Sequence, residues 1–184
     1  MKHIPTVSSK KARTMRLLIE HGADVKAQDE TQSTPLHMAS YSGIPDLVQL
    51  LIKHGADSNG QDRSQRTPLH LASSRVSAKI TSLVFFQLRT DVNVQMIWPS
   101  GFTCHPVDAV SIADTMRLLI DHGANVAAQD EARSTPLHLA AFWCNVQAMQ
   151  LLIEHGDDVL AQDGNNRTPL HLALLPVSVE TSQP

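Results

Sequence analysis

Apolar residues recur along this chain in short bursts at helical spacing, and each burst is closed by the same polar ending. Leu47, Val48, Leu50, Leu51 and Ile52 form one of them, with the periodicity of a helix that buries one face. Pro45 opens it, where a missing backbone N–H is harmless, and His54-Gly55 closes it. Glycine accepts the left-handed conformation of a helix end, and histidine suits the negative end of the helix dipole. The same Leu-Leu-Ile, charged residue, His-Gly ending returns at Leu17 to Gly22, Leu118 to Gly123 and Leu151 to Gly156.

A shorter helix is predicted upstream of such a burst. Thr34 can cap it and Pro35 occupies its first position; it runs through Leu36, Met38 and Ala39 to Gly43, a natural stop. The tetrapeptide Thr34-Pro35-Leu36-His37 reappears at Thr67, Thr135 and Thr168, at intervals of 33, 68 and 33 residues. The middle interval equals twice 33 plus 2, which predicts one more unit with a small insertion inside the gap. Residues 12–39 and 113–140 align at an offset of 101 with 21 identities in 28 positions. Stretches such as Ala56 to Asp62, rich in turn formers, read as projecting loops between helix pairs.

Four copies of Thr-Pro-Leu-His-x-Ala on this period resemble the ankyrin repeat, from about residue 12 to about residue 175. The resemblance implies an all-α ankyrin-repeat solenoid of stacked helix-turn-helix pairs. Small inner-helix residues would line a concave side, and β-hairpin-like loops would project as fingers. About four recognisable repeats are expected, with partial terminal units and tails at 1–11 and 176–184. The third and fourth units, about 67–123, look degenerate. Val76 stands where Gly43 stands one unit earlier, and Leu88-Arg89 replaces His-Gly, so a ragged outer helix is expected. A fourth unit would begin at Gly101-Phe102-Thr103-Cys104-His105-Pro106. The glycine that the family places two residues before the signature threonine is replaced by Gln32, Gln65, Arg133 and Asn166, which leaves the finger geometry open. The first unit has an outer helix near Thr14 to His21 without an inner partner, and the last stops near Leu175-Pro176 before an outer helix. Terminal repeats normally turn a polar face outward, so a segment of a longer array or larger protein, or a shortened product, is expected.

Composition narrows the function. Fifteen Lys plus Arg against 18 Asp plus Glu give a net charge of −3, which favours neither nucleic acid nor an anionic membrane. No apolar run approaches the roughly 18 residues of a membrane span, and Met1 to Pro5 is followed by polar residues rather than an apolar core and cleavage site, so an unsecreted protein is expected. Cys104 and Cys144 are too few and too isolated for a disulfide framework, so an intracellular protein, cytoplasmic or nuclear, is expected. Lys10-Lys11-Ala12-Arg13 reads as a solvated helix start rather than an import signal, and Leu83-Val84-Phe85-Phe86 as core between repeats.

Ten histidines invite a metal reading, but eight lie in the two periodic sets. Residues one unit apart are separated by a helix-packing distance of roughly 8–10 Å, whereas zinc ligands all lie within about 2.3 Å of one ion. Cys104, His105 and Asp108 cluster without a Cys-x-x-Cys partner set, and Cys144-Asn145 has the same standing. With no phosphate loop, His-Glu-x-x-His or Gly-x-Ser-x-Gly, no enzyme, cofactor, metal or small-molecule substrate is expected. The resemblance places ligand contacts after each inner helix and on the fingers, giving Tyr41, Ser42, Ser74, Arg75, Phe142 and Trp143 with Arg63, Arg66 and Glu131 as candidates. Aromatic residues beside arginine suit protein recognition. The expected function is non-catalytic binding of a partner protein. The alternatives are an accessory or targeting segment of a larger signalling protein or enzyme, and a truncated array without independent function.

Overall fold

The computed structural model describes residues 7–74 and 109–175, with side chains from residue 10 in the first stretch and from 112 in the second. Eight helices form among the described residues: α1 (Val7–Glu20), α2 (Pro35–Ser42), α3 (Pro45–Lys53), α4 (Pro68–Ser73), α5 (Ala109–Asp121), α6 (Pro136–Phe142), α7 (Val146–Glu154) and α8 (Pro169–Ala173). Among the described residues no strand accompanies them, and no helix is long and apolar enough to cross a membrane.

Each signature builds its helix start in the same way. The threonine is the N-cap and proline follows it. The histidine three residues on turns back, so that Nδ1 of His37 accepts the Thr34 backbone N–H at 3.1 Å, the reciprocal half of a capping box usually supplied by Glu or Gln. Nδ1 is therefore unprotonated, and the ring must carry its proton on Nε2. That proton reaches the next unit. Nε2 of His37 donates to the Arg66 carbonyl at 3.0 Å, His70 to Ser134 at 3.1 Å, and His138 to Arg167 at 3.0 Å. Burial holds the imidazoles of His37 and His70 below the ordinary histidine pKa, which keeps them neutral.

The inner helices α2, α4, α6 and α8 stack in that order, and α3, α5 and α7 back them as outer helices, with α1 packed on α3. Leu36, Leu69 and Leu137, three of the four signature leucines, are fully buried with Val48, Leu51, Met116, Leu119 and Leu152 in one continuous core. Each such leucine contributes about 2 kcal/mol by leaving water.

The middle of the array corrects the expected register. α4 pairs with α5 and stacks directly on α6, and the His70 to Ser134 bond matches those joining neighbouring signatures elsewhere. The 68-residue interval is thus one unit of 33 with 35 extra residues between its inner and outer helices. The fourth unit expected from Gly101 has no place between α4 and α6. The outer helix that pairs with α4 is α5, unbroken over 13 residues; the ragged helix expected before Leu88-Arg89 lies outside the described residues. Residues 75–108, with Val76, Leu83 to Phe86, Leu88-Arg89 and the Cys104-His105-Asp108 group, lie outside the described residues.

The fingers keep their shape without glycine. Gln32, Gln65, Arg133 and Asn166 all adopt φ between 58° and 60°, and the turn closes behind each, as where the Asp62 N–H donates to the Arg66 carbonyl at 3.0 Å. For Gln and Arg this conformation costs on the order of 1 kcal/mol; Asn tolerates it better.

Candidate recognition surface

Tyr41, Ser74 and Phe142 each stand seven residues after a signature threonine, so the stacking of α2, α4 and α6 sets them in one row at the inner-helix ends. All three are half-buried. Phe142 is the last residue of α6 and Trp143 its C-cap; their rings meet edge to face, centroids 5.1 Å apart at 83°. That geometry suits the aromatic quadrupole and fixes both rings. Cys144 follows in the left-handed region at φ 52°, the place taken by Gly43 at φ 62° one row away. The side chain of Asn145 then accepts the Ala148 N–H at 3.1 Å and starts α7. Ser42 ends α2 beside Tyr41, and the Ser74 hydroxyl donates to the Leu71 carbonyl at 2.9 Å. Arg75, the next residue of the row, lies outside the described residues.

The finger candidates divide into two kinds. Arg63 and Glu131 are exposed at successive tips, and their backbone N–H groups donate to the Thr31 and Ser64 carbonyls of the preceding finger, each at 2.9 Å. Gly164 continues the series to Ala132 at 2.8 Å, so the four fingers are laced to one another. The Arg63 guanidinium also donates to the Glu30 carbonyl. Arg66 is different. Its guanidinium donates to the buried Asp62 carboxylate at 2.8 and 2.9 Å, while the other oxygen of Asp62 accepts the Ser64 and Arg66 N–H groups. Arg66 therefore holds its own finger closed, as Arg167 does with Asp163. Burial raises the Asp163 carboxyl, but Arg167 and two backbone N–H groups outweigh it and hold its pKa below the ordinary carboxylate range.

Sequence reasoning did not single out these finger aspartates, although Asp29, Asp62, Asp130 and Asp163 stand at one repeat position and each accepts finger N–H groups. The signal was there, in the invariance of that position across the four units. Asp157 was also missed. It occupies the place of Ala56 and Ala124 and is buried, and neither carboxylate oxygen makes a well-formed hydrogen bond among the described residues, the Thr135 hydroxyl and the Asp158 and Leu137 N–H groups offsetting its burial only in part. Burial pushes its pKa up to about 6. No group of His, Cys, Asp and Glu among the described residues is placed to hold a metal ion.

A family model described as ankyrin repeats (3 copies) matches residues 6–96 and 108–179. The comparison with curated proteins gives no significant match.

Proposed function

Because this chain belongs to the ankyrin-repeat family, whose arrays are generally protein–protein interaction modules, we propose that it is a non-catalytic recognition module for a partner protein. The observation that carries this reading is the Phe142–Trp143 pair, edge to face and half-exposed, in line with Tyr41 and Ser74 along the inner-helix ends. Rigid aromatic rings beside a charged rim are what binding hot spots are made of, and a preformed surface loses little entropy on docking. Arg63 and Glu131 supply opposite charges on the finger tips. Arg66 contributes by shaping the finger rather than by offering a free charge. Ser42 and Arg75 complete the proposed contact row. An exposed free thiol at Cys144 suits a reducing cytoplasm or nucleus.

The test is a partner selected on the wild-type chain, then titrated against Phe142→Ala, Trp143→Ala and Arg63→Glu. The aromatic changes are expected to weaken binding at least tenfold each, about 1.4 kcal/mol or more, with the helical signal retained. Binding unchanged by all three would sink this surface.

A further inference from the structure

The two ends of the described stack are incomplete in opposite ways. Among the described residues, α1 at the first end is an outer helix with no inner helix of its own unit beside it, and α8 at the other is an inner helix with no outer helix on it. A groove of about 470 Å³ runs where the missing inner helix of the first unit would lie, lined by Met15, Pro35, Met38, Ala39 and Leu47.

The chain already contains the pair that these two halves would make. α8 carries Pro-Leu-His-Leu-Ala, the same residues that open α4. Most of α1 lies in the stretch 12–39, which is 21 of 28 identical to the stretch 113–140 containing most of α5. Within the chain α4 and α5 pack on each other. The positions that meet there are the ones left open at the ends. Leu69 is fully buried and its counterpart Leu170 is 71% exposed; Leu119 is fully buried and its counterpart Leu18 is 57% exposed. Met116 is fully buried, whereas Met15 is only half-buried in the groove wall. Asn59 bonds across to Gly123 and Asn125 of the next unit, while Leu160 at the same position of the last finger is 74% exposed. The departure on the facing stripe is Lys11 for Ile112, a side chain whose alkyl stem packs while its amine reaches water.

Pairing of this kind does not depend on a short connection. α4 and α5 are separated by the 35 residues between Ser73 and Ala109 and still form a regular unit. We propose that copies of this chain associate head to tail, α8 of one copy entering the groove beside α1 of the next, so that two half-units complete one repeat. α2 of the second copy then stacks on α8 of the first, as α6 stacks on α4. Each copy offers one head and one tail, so the contact is heterologous and the assembly grows.

Sedimentation of the full chain over a wide concentration range tests this, with Leu18→Glu as a blocked head and Leu170→Glu as a blocked tail. The wild type is expected to climb through dimer to larger species. Each variant alone should remain monomeric, and an equal mixture of the two should form dimers and nothing larger, because one intact tail then meets one intact head. A wild type that stays monomeric, or that stops at a dimer, overturns the proposal. So does a mixture that remains monomeric, or single variants that assemble like the wild type. The wild-type series decides the matter even if a glutamate variant loses its helical signal.

Discussion

α1 and α5 are nearly the same helix in two settings. Thr-Met-Arg-Leu-Leu-Ile is common to both, yet Met116 and Leu119 are fully buried in α5, which packs on α3, α4 and α7, while in α1 Met15 lines the open groove beside α2 and Leu18 is 57% exposed. The difference teaches that in a solenoid a residue's contribution is set by the units on either side of it, because a single repeat cannot bury its own apolar face. Identical letters therefore carry unequal energies.

The largest expected effect separates the two leucines. Leu119→Ala should lower stability by about 3 kcal/mol through lost transfer energy and a cavity, and Leu18→Ala by less than about 1 kcal/mol in dilute monomer. Urea melts showing equal losses would refute the comparison. Next comes the histidine staple. His70→Gln should cost about 2 kcal/mol, because the Ser134 carbonyl and Thr67 N–H lose their buried partner. His171→Gln, on an exposed ring at the open end, should stay within about 0.5 kcal/mol. His37 and His70 are neutral when folded, with pKa values below 6.5. Protons are taken up first by the unfolded chain, so this contribution is whole above pH 6.5 and is lost as pH falls below it. Melting temperatures recorded down to pH 5 should fall less steeply in the His70→Gln protein.

Asp157→Ala sharpens the contrast from the other side, since alanine is what the sister units place there. Its folded pKa of about 6 exceeds the model-peptide value of 3.8, so the penalty is fully present above pH 6 and fades as pH drops toward 4. The alanine variant should gain about 1–2 kcal/mol at pH 7 and little at pH 4. A constant gain across that range would mean the carboxylate is not what destabilises the site. The smallest effect is at the fingers: Gln65→Gly should raise stability by up to about 1 kcal/mol by relieving the left-handed backbone, and Asn166→Gly by less. A loss at Gln65 in thermal melts would show that its side chain matters more than its φ.

The repeat and its helix pairs were legible because signature and period are local properties, readable one unit at a time. Spacing argued against metal chemistry for the histidines, but their bonds to the next unit were not legible, since a carbonyl 29 or 64 residues away leaves no mark on the tetrapeptide. The same limit explains the hidden unit. Twice 33 plus 2 and 33 plus 35 are the same number, and only packing of α4 against both α5 and α6 distinguishes them. Arg66 was read as a surface charge because its carboxylate partner, four residues earlier, shows its burial only in the folded finger. Tyr41, Ser74 and Phe142 were chosen by repeat position, and the stack does bring them into one row.

The junction after α4 has a consequence for how such a chain changes over generations. Neighbouring units turn from inner to outer helix through Gly43-Ile44 or Trp143 to Asn145, whereas here 35 residues intervene. Closing a longer connection adds only about 0.6 kcal/mol per doubling, on the order of 2–3 kcal/mol for this one. A cost of that size can be met by a single well-packed leucine elsewhere. The third unit is thus a seam at which sequence can be spliced in, trimmed or exchanged for a foreign domain without rewriting the repeats on either side.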